Sequence, residues 1–180
     1  MADTKIAITP DEFLTMAEAT DDRLELVDGE VERMGPPGTR HGFVSFQVPF
    51  VLRELLPRNQ FTVFGDLGWL LPTGNVRGPD ACVISADLVR SKGLPAGWWS
   101  ERIELAVEVI GTEDRVAELD CKTEEYFAAG AQQVWRVNPE TQKLSIYRSP
   151  KDVRIFGMED EVDATDFHPA LRFPARRLFE

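Results

Sequence analysis

Histidine and cysteine are scarce in this chain of 180 residues, with two of each. His41 and His168 stand far apart, which rules out a His-rich zinc site and an HExxH metalloprotease. Cys82 and Cys121 form no CxxC pair and are too few for a disulfide framework, so both read as reduced, mostly buried thiols. No run approaches the roughly 20 apolar residues needed to span a bilayer. The N-terminal stretch MADTKIAITPDEF lacks the apolar segment of a secretory signal, which points to the cytosol. GxGxxG, the P-loop and the GxSxG elbow are missing too, which removes the commonest nucleotide-binding and serine-hydrolase readings. Basic residues are outnumbered, 20 against 31 acidic, for a net charge of −11. That balance opposes a simple nucleic-acid binder, which needs clustered Lys and Arg. It leaves room for a metal site, because carboxylates bind the ion and the ion offsets their charge.

What is present suits one globular domain over residues 1–180, with 43% hydrophobic and 28% charged residues and no repeat or linker. Thr9, Pro10 and Glu12 form a capping signal for a first helix carrying Phe13, Leu14 and Met16. Alternation over residues 23–27, the turn pair Asp28-Gly29 and a return over residues 31–34 predict a β-hairpin. Gly35-Pro36-Pro37-Gly38 is a loop. Val44, Val48, Val51 and Leu55 then predict a second helix over residues 41–56, with a kink expected at Pro49. One or two strands fall within residues 60–71, and a short strand follows the Thr73-Gly74-Asn75 turn at residues 79–84.

The clearest strand spans residues 103–110, followed by a helix over about 113–129 that Gly130 terminates. Strands at residues 133–137 and 144–148 flank the turn at Asn138-Pro139-Glu140. The order strand, strand, helix, strand, strand predicts a mixed α/β fold of the α+β type around a central mixed sheet. Residues 167–179 read as an irregular tail with apolar anchors that closes over an edge.

Two acids stand where acids are costly. Asp80 opens an apolar strand, and Glu108 lies between Val107 and Val109. Alternation places Glu104, Ala106, Glu108 and Ile110 on one face and Leu105, Val107 and Val109 on the other. A buried carboxylate must be paired, hydrogen-bonded or bound to a cation. Two from neighbouring strand ends suit an oxygen-seeking ion such as Mg²⁺. Lys122 shares a helical stripe with Leu119 and Tyr126, so its amine can reach the sheet. The plainer alternative lays its stem along apolar surface with the head in water. Glu108 taken alone could be a buried ion-pair partner, and Asp80 taken alone fits a strand-start turn residue better than a ligand.

The string Glu25-Leu26-Val27-Asp28-Gly29-Glu30 resembles the opening signature of the Uma-two family of restriction endonucleases. Pro36-Pro37 with His41, Arg77-Gly78-Pro79-Asp80, Val107-Glu108-Val109, Lys122 with Tyr126, and Gly130 through Trp135 to Asn138-Pro139 carry the resemblance on, from about Thr9 to Phe179. That family belongs to the PD-(D/E)XK nuclease superfamily. The resemblance implies a restriction-endonuclease-like core with an N-terminal helix and β-hairpin. It implies Mg²⁺ as cofactor, with Mn²⁺ as a substitute, and DNA as substrate. Asp80, Glu108 and the Val109 carbonyl would hold the metal; Lys122 would be the catalytic cation and Glu25 a further acid. His41 and Gln133 would be accessory. Lysine is shifted from strand to helix, in keeping with Ile110 two residues after Glu108, where the superfamily pattern has Lys. The chain departs from the family at Ile110-Gly111 and at Asn138, neither of them a presumed ligand.

Three functions follow as expectations: a Mg²⁺-dependent endonuclease, a nuclease-fold binding protein with little or no catalysis, and a metal hydrolase of smaller phosphate esters. A homodimer would let two sites cut two strands. The Trp98-Trp99 pair could stack on bases, although a core or dimer-contact role fits it better.

Overall fold

The computed structural model describes residues 7–112 and 114–180. Helix α1, Pro10–Glu18, starts from a reciprocal capping box. Thr9 Oγ1 accepts from the Glu12 N–H, and Glu12 accepts from the Thr9 N–H at 2.9 Å. Strands β1, Arg23–Val27, and β2, Glu30–Met34, pair antiparallel around a turn whose two residues, Asp28 and Gly29, have φ of 50° and 78°. Positive φ at both positions is what a right-twisted two-residue hairpin demands. Gly29 is required twice over, because a Cβ there would lie 2.5 Å from that of Ala7.

Helix α2, Thr39–Leu55, continues through Pro49 without a break. It is followed by β3 (Phe61–Gly65), β4 (Trp69–Leu70), β5 (Val76–Arg77) and β6 (Ala81–Ser85). Next come helix α3 (Ala86–Lys92), β7 (Leu105–Val109) and helix α4 (Val116–Ala128). The predicted start of α4 at residue 113 falls outside the described residues. Its end is a Schellman turn: Gly130 has φ of 99° and the Ala131 N–H donates to the Tyr126 carbonyl. Strands β8 (Gln133–Asn138), β9 (Lys143–Ser149), β10 (Asp152–Gly157), β11 (Glu161–Asp163) and β12 (Arg172–Pro174) complete the chain with a 3-10 turn, Ala175–Leu178.

The central sheet has the order β10-β9-β8-β7-β6-β3, with β7 and β8 parallel and the other neighbours antiparallel. A second sheet, β2-β1-β5-β4, packs α1 through Phe13, Leu26 and Val76. Strand β7 is buried along its whole length. Its Leu105, Val107 and Val109 pack with Val44, Val48 and Val51 of α2, while Ala106 joins Tyr126 of α4 on the other side. The expected alternation is therefore realised, and it turns Glu108 toward α4.

Several features differ from expectation. Helix α3 and strand β10 were not anticipated, α3 because it is short and β10 because its residues are mostly exposed and carry no core-facing alternation. The tail is more ordered than an irregular closure. It forms the β11–β12 pair, and Leu171, Phe173, Ala175 and Leu178 pack in the α2-side core. Cys82 is buried as expected, but Cys121, one position ahead of Lys122 on α4, is exposed. Trp99 is buried and Trp98 stacks on Phe13 at 5.3 Å, so the pair belongs to the packing. No helix among the described residues is long and apolar enough to cross a membrane.

Candidate active site

Glu108 is carried to the end of a fully buried central strand. Strand β6 runs antiparallel beside it with Ala81 opposite Val107, and this register brings Asp80 alongside. The contact is direct, since the Val109 N–H donates to Asp80 Oδ2 at 2.7 Å. From the second sheet, β1 presents Arg23 and Glu25, two residues apart and hence on one face. Strand β5 presents Arg77 and leads straight through Gly78-Pro79 into Asp80. Helix α4 covers the cluster with Lys122 and Tyr126. A cleft of about 280 Å³ opens onto these groups, lined also by His41.

The four sequence-derived groups meet here. Glu25 is 1% exposed, Asp80 and Glu108 6%, and Lys122 8%. Lys122 Nζ donates to Glu25 Oε1 at 2.8 Å and lies 3.5 Å from Glu108 Oε2. Its head is not in water, so the plainer reading of Lys122 is replaced by a buried ion pair. Glu25 also accepts from the Gly78 N–H and from Arg77 Nη1, both at 3.0 Å. The Tyr126 hydroxyl donates to Glu108 Oε1 at 2.5 Å. His41 joins at the edge, with Nε2 3.8 Å from Asp80 Oδ2 and Nδ1 3.2 Å from the Ser45 hydroxyl.

Gln133 is not brought to this cluster. It pairs with Leu105 at the far end of β7, on the opposite face from Glu108. Its amide donates to Asp166 and its carbonyl oxygen accepts from the Trp135 indole. The position that pairs with Glu108 is Arg136, which is tied to Thr123, Asp120 and the Leu119 carbonyl and so clamps α4 to the sheet.

Sequence reading missed two guanidinium groups. Arg23 Nη1 donates to Asp80 Oδ1 at 3.0 Å, and Arg77 bridges Glu25 to Glu125, donating to the latter at 2.7 Å. Their signals were available: Arg23 alternates with Glu25 on β1, and Arg77 lies three residues before Asp80. Asn75 extends the network, donating to Glu125 and accepting from the Asp28 N–H, which ties the hairpin turn to the site.

The charges are uneven in what they can tolerate. Burial raises the Glu108 carboxyl to about 7; Lys122 opposes this, and the nearby charges of Asp80 and Glu25 reinforce it. Burial also works against the charge on Glu25, but Lys122, the Gly78 N–H and Arg77 prevail and hold it below the ordinary carboxylate value. Lys122 would be pulled down by burial, yet Glu108 and Glu25 hold it above its usual value, so it is a permanent cation near neutral pH. Burial and the Glu108 charge push the Tyr126 hydroxyl far up, leaving it a hydrogen-bond donor.

A divalent ion, were one bound, would draw on this donor set. Asp80 and Glu108 are neighbouring buried carboxylates, and Glu108 shares the Lys122 ammonium with Glu25. Among the described residues no group of three or more Asp, Glu, His or Cys side chains is arranged to hold a metal. The protein would thus offer two carboxylates and leave the remaining positions to water, backbone and substrate, as is usual for Mg²⁺.

Comparison with known proteins bears on the family and the fold. A family model, Uma2, described as "Putative restriction endonuclease", matches residues 10–176. Among solved structures, a protein from Anabaena variabilis described as "a putative nuclease belonging to DUF820" superposes with a TM-score of 0.80 at 20% identity. The alignment covers 96% of this chain and 97% of that one, and the shared fold is restriction-endonuclease-like. A search of curated proteins found no match.

Proposed function

The chain belongs to the Uma2 family, and on that premise we propose that it is a divalent-metal-dependent endonuclease hydrolysing DNA phosphodiester bonds. One observation carries this reading: Asp80, Glu108 and Lys122, from two strands and a helix, converge with Glu25 in a single buried cluster.

Asp80 and Glu108, with the Val109 carbonyl, would hold Mg²⁺ or Mn²⁺. Such an ion supplies Lewis acidity at the scissile phosphate and lowers the pKa of a bound water. The protein's own groups have separable tasks. The Val109 N–H orients Asp80, and the Tyr126 hydroxyl orients Glu108. Glu25 holds Lys122 in place and keeps it charged. Lys122 is then a fixed cation that stabilises negative charge developing on the phosphate, rather than a base. His41 flanks Asp80 as an accessory group.

The net charge of −11 favours a second reading, a nuclease-fold binding protein with little catalysis. Supercoiled plasmid incubated with purified protein and Mg²⁺ or Mn²⁺ separates the two. Nicking that disappears in both Asp80→Ala and Lys122→Ala supports the enzyme. Nicking that survives both substitutions reflects a contaminant and defeats it.

A further inference from the structure

Arg23 differs from the other cations of the site. Arg77 is 5% exposed and engages Glu25 and Glu125 together, whereas the Arg23 side chain is 29% exposed. It lines the catalytic cleft and also a second cleft of about 350 Å³, beside Leu14 and Trp98. One arm, Nη1, holds Asp80 Oδ1 at 3.0 Å; the other, Nη2, reaches the Gly78 carbonyl at 2.7 Å and Asp66 at 3.2 Å. Its Nε–H is shielded from solvent and has no acceptor among the described residues. Its two arms reach different carboxylates, the buried Asp80 and the exposed Asp66, and its Nε donor is unsatisfied, so neither acid holds it as a bidentate pair would.

Asp80 Oδ2 is fixed by the Val109 N–H, while Oδ1 accepts, among the described residues, from Arg23. A divalent ion held through Asp80 would compete with Arg23 for the same charge, and two cations so close repel. We propose that Arg23 is a displaceable counter-ion of Asp80: it neutralises this acid before metal arrives, then releases it and turns its guanidinium to a substrate phosphate. Arg23 would thus be a positioning group for the metal and a contact for the DNA backbone. Planar, five-donor geometry suits Arg to phosphate, and partial exposure between two clefts allows the swing.

This inference rests on the metal-site reading above, and its test distinguishes the two. Mn²⁺ affinity is measured by calorimetry on wild-type protein and on Arg23→Gln, Arg23→Lys and Asp80→Asn, with no substrate present. Removing the competing cation should tighten Mn²⁺ binding in Arg23→Gln roughly tenfold, while Arg23→Lys stays within about threefold of wild type. A purely structural role for Arg23 predicts the opposite, weaker binding in Arg23→Gln. On a short DNA duplex with Ca²⁺ in place of Mg²⁺, wild-type affinity should rise on adding the ion, and Arg23→Gln should lose that gain. Unchanged or weakened Mn²⁺ binding in Arg23→Gln overturns the inference while leaving the metal site standing, provided Asp80→Asn abolishes binding. Mn²⁺ binding that is absent from every protein, or untouched in Asp80→Asn, overturns the metal reading and this inference with it.

Discussion

Lys122 Nζ and Glu25 Oε1 lie 2.8 Å apart, joining residues separated by 97 positions in sequence. The bond links α4, over the central sheet, to β1 of the second sheet. It also holds the amine beside Glu108, at 3.5 Å. Placing a flexible lysine there requires a buried acid on the far side, which is why Glu25 belongs to the site without touching Asp80.

Lys122→Met should therefore do two things. Nicking should fall by about 100-fold or more, the order expected when a fixed group that stabilises transition-state charge is removed. Stability should fall by about 3–5 kcal/mol, because two buried acids lose their cation. Adding Glu25→Gln should restore part of that stability but none of the activity. Urea unfolding of the two variants checks the first point and plasmid nicking the second.

Glu108 should make stability depend on pH in the direction opposite to most paired acids. Its carboxyl is raised from the ordinary 4.5 to about 7. Between these values the folded protein holds a proton that the unfolded chain has released. The stabilisation is present in full below about 4.5 and lost as pH rises through about 7. Glu108→Gln carries no such charge. In EDTA, its melting temperature relative to wild type should climb between pH 5 and pH 8. A difference that stays flat or shrinks over that range would show that Glu108 ionises without cost.

Tyr126→Phe removes the hydroxyl that donates to Glu108 Oε1 and helps it ionise. The Glu108 carboxyl should titrate higher still, moving the acidic limb of the pH–activity profile to higher pH. The ring should stay stacked on Trp69, at 5.4 Å in the wild type, and the stability change should be about 1 kcal/mol. Nicking rates from pH 5.5 to 9 check the shift.

Much of this arrangement is legible in the sequence because it follows local rules. Alternation in β7 fixes which way Glu108 faces, and helical spacing puts Lys122 in the stripe of Leu119 and Tyr126. The Asp28-Gly29 pair gives the hairpin. What local rules cannot give is the meeting of the two sheets, or the registers Leu26↔Val76 within one and Ala81↔Val107 within the other that set which side chains face each other there. Arg23 and Arg77 carried a local signal, their nearness in sequence to Glu25 and Asp80, but their pairings with Asp80 and Glu125 emerge only in the folded arrangement. Gln133 shows the converse. It stands near Glu104 and Glu108 in strand order, yet it occupies the other end and the other face of the sheet. Cys121 failed because a buried thiol was expected from residue type alone, while its place on the helix leaves it exposed at the cleft.

Gln133→Ala should consequently leave nicking within about twofold of wild type. Its bonds to Asp166 and Trp135 are structural, and losing them should cost about 1–3 kcal/mol, chiefly by leaving the buried Trp135 indole unpaired. Paired activity and urea-unfolding measurements check both halves.

Crystals soaked in Mn²⁺ and measured at the manganese absorption edge test the metal assignment most directly. An anomalous peak between the Asp80 and Glu108 carboxylates, absent from Asp80→Asn crystals, is the expected result. Ordered crystals with no peak there, or with manganese only at surface acids, would contradict a metal-dependent nuclease built on these residues.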